Sequence, residues 1–164
     1  QLLKLNSDTL TDKKYFLIVD SDTVFSRPQT FVDTKGRMLL NCSDEYHGPY
    51  FETYKKLIPL NKRYEKSFVC HHMLFSVEYL CELKNIINAH TGQIWWRAIL
   101  STLDNFEESC FSEYETYGNF MKFFHPDAIY LRYWYNKAVL LKNFEKIRHK
   151  IRYKTISMHA YMTE

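Results

Sequence analysis

Apolar and polar positions alternate along this chain in blocks that define elements. Five successive apolar residues, Tyr15-Phe16-Leu17-Ile18-Val19, stop abruptly at Asp20. Such a run predicts a central strand buried on both faces in a parallel or mixed sheet. Upstream, Gln1-Leu2-Leu3-Lys4-Leu5 reads as the end of a helix, and Asn6 to Lys14 is polar and turn-like. Pro28 closes the next short stretch because it cannot donate to a ladder. Phe31 to Asn41 predicts a hairpin around Thr34-Lys35-Gly36, and Tyr46-His47-Gly48-Pro49 predicts a loop. After the apolar segment Ser67 to Phe75, Ser76 caps a helix over 77–91 that stops at Gly92. Helices are also predicted over 95–103 and 112–123, and a strand over 128–135. Asn136 caps a last helix carrying Leu140, Phe144, Ile147 and Ile151 at helical spacing. Residues 155–164 read as a tail. Strands mixed with helices predict an α/β layered domain.

Composition narrows the class. At 164 residues, with 46% hydrophobic and 25% charged positions, the chain has material for one domain and one core, which excludes disorder. Only four glycines are present, and neither GxGxxG nor GxxxxGK[ST] occurs, so glycine-rich phosphate loops are excluded. Four cysteines without a CxxC pair exclude zinc-knuckle spacing and read as reduced thiols of an intracellular protein, with two disulfides as the alternative. The net charge of +3 is too small to imply nucleic acid and suits an anionic small ligand. No apolar run reaches the ~20 residues of a membrane span. The chain opens on Gln1, in what reads as a helix already under way, so a longer parent protein with further domains is expected.

The sharpest chemistry is Asp20-Ser21-Asp22 at the end of the apolar strand. Two carboxylates this close, in a turn, can converge on a hard cation such as Mg²⁺ or Mn²⁺, which in turn holds phosphate oxygens. The carboxyl end of a buried strand is also where open α/β sheets place ligands. The bland reading is a solvated turn with one capping Asp.

The stretch Tyr-Phe-Leu-Ile-Val-Asp-Ser-Asp-Thr-Val-Phe resembles the DxD site of GT-A-fold glycosyltransferases. Arg27-Pro28 followed by Phe31, Val69-Cys70-His71-His72-Met73-Leu74-Phe75 and Phe111-Ser112-Glu113-Tyr114-Glu115-Thr116-Tyr117-Gly118 extend the likeness to about residue 160. It is nearest to a group with DSDT…HHM…SEYETYG signatures, a domain that some large DNA viruses of algae carry for capsid glycans. The resemblance implies a GT-A-like mixed central sheet flanked by helices, lacking the N-terminal unit that recognises base and ribose. It implies transfer of a sugar, with inversion, from a nucleotide-diphosphate sugar such as a UDP-sugar to a glycan or protein-linked acceptor, in the cytoplasm. Asp20, Ser21, Asp22, His71 and His72 would meet the donor. Asp20 and Asp22 would hold Mn²⁺ or Mg²⁺, with His159 as third ligand and His125 as second choice. Glu113 or Glu115 would be the base, and being i and i+2 only one should face the cleft. Two other readings fit the residues. One is a haloacid-dehalogenase-like phosphatase with Asp20 as nucleophile, which lacks its later acidic motif here. The other is a non-catalytic glycan-binding or interaction domain.

Overall fold

The computed structural model describes residues 1–103, 109–147, 150 and 152–158. It is an α/β structure of short strand groups flanked by helices. Strand β1 (Tyr15–Val19) runs antiparallel to β4 (His72–Ser76), with Tyr15 opposite Ser76 and Val19 opposite His72. Strand β3 (Met38–Cys42) runs parallel to β5 (Ile129–Tyr133) and lies beside β4, joined to it by the side chains of Asn41 and His72. A third sheet places β7 (Thr155–Ser157) between β2 (Thr23–Phe25) and β6 (Asn136–Ala138).

Helices α1 (Leu2–Leu5), α2 (Gly48–Leu57), α3 (Val77–Thr91), α4 (Trp95–Thr102), α5 (Glu113–Phe124) and α6 (Phe144–Ile147), with short 3-10 turns at Ser7–Leu10, Pro126–Ala128 and Leu141–Asn143, complete the described elements. The core between β4 and the helices is built on Leu57, Phe68, Phe75, Leu80, Tyr117 and Phe120, none of them exposed. Helix α3 has the ends its sequence predicts. Ser76 Oγ accepts from Tyr79 N, and Gly92 takes the left-handed conformation at φ 67° that a side chain resists. Helix α5 is buried from Glu113 to Met121, which requires close approach. A Cβ on Gly118 would lie 2.2 Å from Phe68 Cγ, so only glycine lets α5 meet that ring. No helix among the described residues is long and apolar enough to cross a membrane. None of the four cysteines forms a disulfide.

Five sequence expectations are corrected. Strand β1 is half-buried with a single ladder partner among the described residues, and Leu17 is 37% exposed, so its apolar run does not make it a central strand. The hairpin over 31–41 is one bridge long, Val32 facing Met38; the rest of that segment pairs with β5 instead. Gly48–Leu57 is a helix, because Pro49 sits in its first turn, where a missing N–H costs nothing. Asn136 starts a strand, because the backbone over 136–138 pairs with β7; of the helix expected after it, Phe144–Ile147 is helical, and Ile151 lies outside the described residues. Residues 155–157 form a buried strand. Thr155 Oγ1 accepts from Trp134 Nε1 at 2.7 Å, and Ser157 Oγ meets Thr23 Oγ1 at 2.9 Å.

Candidate functional site

The acidic triplet closes β1 in a tight turn. Asp20 N donates to His71 O at 2.9 Å, and Thr23 N returns to Asp20 O at 3.0 Å. From the other side the chain after β7 arrives, with Met158 N donating to Asp22 O at 2.9 Å. The turn therefore has fixed backbone on both flanks. It opens onto a cavity of about 580 Å³ that Asp20, Ser21 and Asp22 line together with Lys4, Glu45, Tyr50, His71, Glu113 and Tyr114.

Asp20 is the hub of this cavity. Its Oδ1 accepts from Lys4 Nζ at 2.6 Å and from the Tyr114 hydroxyl at 2.7 Å, and its Oδ2 faces His71 Nδ1 at 3.3 Å. Burial opposes the charge on Asp20. The hydrogen bonds from His71, Lys4 and Tyr114 outweigh burial and hold its carboxyl well below the usual carboxylate range. Lys4 Nζ also lies 2.6 Å from Glu113 Oε1, so one ammonium bridges two carboxylates from distant parts of the chain. Burial also opposes charge on His71, but hydrogen bonds to Asp20 and Glu45 overcome it and raise the ring to about 9. Protonated, both ring nitrogens donate: Nε2 lies 3.3 Å from Glu45 Oε2. His71 holds a left-handed backbone at φ 60°, a conformation costly to a residue with a Cβ and concentrated at functional sites.

The neighbouring histidine turns the other way: His71 precedes β4 in a left-handed backbone, and His72 opens the strand. His72 is 1% exposed, among the rings of Phe25, Phe31 and Trp134. Arg132 Nε donates to Asn41 Oδ1 at 2.6 Å. Asn41 Nδ2 therefore donates to His72 Nε2, at 2.7 Å, leaving Nδ1–H to donate to Cys70 O at 2.7 Å. That tautomer is neutral, and burial pushes the ring down to about 4. His72, expected at the donor site, is thus not a lining residue of the cavity but is packed among aromatic rings behind it.

The two glutamates also part. Glu113 lines the cavity. Glu115 points into the core, where Ser67 Oγ and Phe68 N donate to Oε1 and Asn119 Nδ2 donates to Oε2 at 3.3 Å. Burial raises Glu115 to about 7 against those hydrogen bonds. Glu115 is placed to hold the 67–68 backbone to α5, not to meet a substrate. His125, at the far end of α5, has its Nε2 3.0 Å from Glu82 Oε2 and its ring beside Tyr79, away from the cavity. His159 lies outside the described residues. Sequence reasoning missed the roles of Lys4, Glu45, Tyr50 and Tyr114; for Tyr114 the only signal was its place between the two glutamates.

Four carboxylates and two cations line the cavity, leaving two formal negative charges in a chain of net charge +3. The donors are carboxylate oxygens, and an ammonium already sits between two of them, so the chemistry fits a hard divalent cation. Among the described residues no three His, Cys, Asp or Glu side chains form a ready-made cage. Mg²⁺ typically needs only one or two carboxylates, with water and phosphate oxygens completing its shell; Asp20 and Asp22 both line the cavity. No curated protein matches the chain. A family model covers residues 1–154, and the chain belongs to that family, the family of unknown function DUF6492.

Proposed function

We propose that this domain is a metal-dependent glycosyltransferase of GT-A type that uses a nucleotide-diphosphate sugar, with UDP-sugars the first donors to test and a glycan or protein-linked hydroxyl as acceptor. The observation that carries the reading is the meeting of Asp20-Ser21-Asp22, at the carboxyl end of β1, with Glu113, at the start of α5, in one acidic cavity of about 580 Å³. A volume of that order suits a small-molecule substrate.

Asp22 and Asp20 would hold Mn²⁺ or Mg²⁺. When bound, the ion supplies charge compensation for a departing diphosphate. The chain's own residues do the rest. Glu113, at the N-terminal end of α5, accepts the proton of the acceptor hydroxyl. The acceptor oxygen then bonds to the anomeric carbon on the face opposite the diphosphate. The bond from that carbon to the diphosphate oxygen breaks, its electron pair leaves with the diphosphate, and the product is inverted. His71, protonated and held by Asp20 and Glu45, places a positive charge on the cavity wall, where an anionic donor would pass. Such work fits the cytoplasmic face of glycan assembly.

A thermal-shift panel of nucleotide sugars with and without Mn²⁺ tests the reading. Stabilisation by at least one UDP-sugar, dependent on Mn²⁺ and lost in Asp22→Asn, is the expected result. No metal-dependent stabilisation by any nucleotide sugar overturns it.

A further inference from the structure

Lys4 is the least expected member of the site. It comes from α1, 16 residues before Asp20 and 109 before Glu113, yet its ammonium is 2.6 Å from an oxygen of each. It also donates to the Tyr114 hydroxyl at 3.3 Å and lies 4.6 Å from the centre of that ring. The side chain is 29% exposed, so it is reachable from the cavity. Burial opposes the positive charge on Lys4; the Coulomb field of Glu113 and hydrogen bonds to both carboxylates reverse that and raise its pKa.

Every oxygen of Asp20 is engaged in this state: Oδ1 by Lys4 and Tyr114, and Oδ2 by His71. An ion bonded directly to Asp20 at about 2.1 Å would face an ammonium on the same oxygen, and two positive centres that close repel strongly. We propose that Lys4 is a built-in competitor for the divalent cation: its ammonium occupies the cation position at Asp20, and the ion reaches that carboxylate by displacing it. This inference rests on the metal-dependent reading above. Its consequence is a site in which Lys4, standing between Asp20 and Glu113, keeps those two carboxylates from repelling each other when no ion is bound, and sets how tightly the metal is held.

Two measurements on the full chain test it. Titration calorimetry with Mn²⁺ alone compares wild type with Lys4→Met, and the variant is expected to bind at least about tenfold tighter. In wild type, mass spectrometry follows acylation of Lys4 against the exposed Lys35 as an internal standard, and added Mn²⁺ is expected to raise labelling of Lys4 several-fold. Equal or weaker binding by Lys4→Met, with wild type binding Mn²⁺ normally, overturns the inference and leaves the metal-dependent reading standing. Tighter binding with unchanged labelling also overturns it, because a lost charge alone would do that. If Lys4→Met does not fold, the labelling of wild type decides by itself. Wild type that takes up no Mn²⁺ overturns the metal-dependent reading and this inference with it.

Discussion

The hydroxyl of Tyr114 donates to Asp20 Oδ1 at 2.7 Å, and this bond ties the start of α5 to the end of β1. Both residues line the cavity, and Tyr114 is otherwise buried at 3% exposure. Tyr114→Phe keeps the packing and removes the donor. A hydrogen bond to a charged group is worth about 1.5–3 kcal/mol, but Lys4 and His71 remain on Asp20. A loss at the low end is expected, about 1.5 kcal/mol, or a melting temperature lower by about 3–6 °C. Differential scanning calorimetry reads it, and an unchanged melting temperature would show that the bond contributes nothing.

Glu113 and Glu115 stand two residues apart and are predicted to behave as unlike groups. Glu115→Ala strands the Phe68 N–H and the Ser67 hydroxyl in a dry site, at about 1–3 kcal/mol for each buried group left without a partner. A total near 3 kcal/mol lowers melting by about 6–12 °C. Glu113→Gln keeps its size but gives up the charge that Lys4 pairs with, so folding should weaken by about 1.5–3 kcal/mol, while sugar transfer is lost and donor affinity stays. Melting curves beside a transfer assay with each UDP-sugar separate the two. Loss of transfer in Glu115→Gln with an intact fold, and retention in Glu113→Gln, would exchange their roles.

Gly118 gives a third test. A methyl group there would start 2.2 Å from Phe68 Cγ and 2.6 Å from its Cβ, too close for the ring to rotate clear. Overpacking typically costs about 1–3 kcal/mol and can exceed that, against a gain in helix propensity of about 1 kcal/mol for alanine over glycine. Gly118→Ala should therefore destabilise by about 2 kcal/mol or more. Gly118→Ala combined with Phe68→Leu should recover part of the loss, and urea denaturation of the pair checks both.

The parts of this molecule that could be read from sequence are those whose cause is local. Ser76 and Gly92 mark both ends of α3 because capping and left-handed backbone are short-range effects. The turn at Asp20 is legible because an apolar run cannot continue through a carboxylate. The opposite directions of His71 and His72 match what alternation predicts, but the left-handed backbone at His71, outside the strand, is what separates them. What was missed depends on distant partners. Nothing near Lys4 says that it will meet Asp20 and Glu113, and nothing in Tyr15–Val19 tells a half-exposed strand with one neighbour from a buried one with two. Thr155–Ser157 is too short to show a period, and it becomes a strand only because Thr23–Phe25 and Asn136–Ala138 lie ready on either side. Gly48-Pro49 carries turn chemistry and helix-start chemistry equally, and the burial of Phe51, Tyr54 and Leu57 decides between them.

The buried titrating groups predict a particular dependence of stability on pH. Glu115 is raised from 4.5 to about 7, so the folded chain holds a proton the unfolded chain has lost, and stability falls as pH rises between those values. His72 is lowered from 6.5 to about 4, so the unfolded chain binds the proton first, and stability rises with pH between 4 and 6.5. Each shift is about 2.5 pH units, or about 3 kcal/mol at most, and over most of their shared range the two slopes oppose. His71 is raised from 6.5 to about 9, and the stability it contributes is complete below 6.5 and lost as pH climbs to 9. Asp20 is lowered from 3.8, so its contribution is present above 3.8 and lost in stronger acid. Wild type should therefore be nearly level from about pH 4.5 to 6.5 and weaken by up to about 3 kcal/mol toward pH 9. Glu115→Gln removes the falling slope and leaves the rising slope of His72 unopposed, so its stability should rise with pH from 4 to 6.5. His71→Gln should weaken less than wild type between pH 6.5 and 9. Urea melts at half-unit steps test all three profiles. A Glu115→Gln profile as level as wild type below pH 6.5 would show that Glu115 and His72 do not oppose each other.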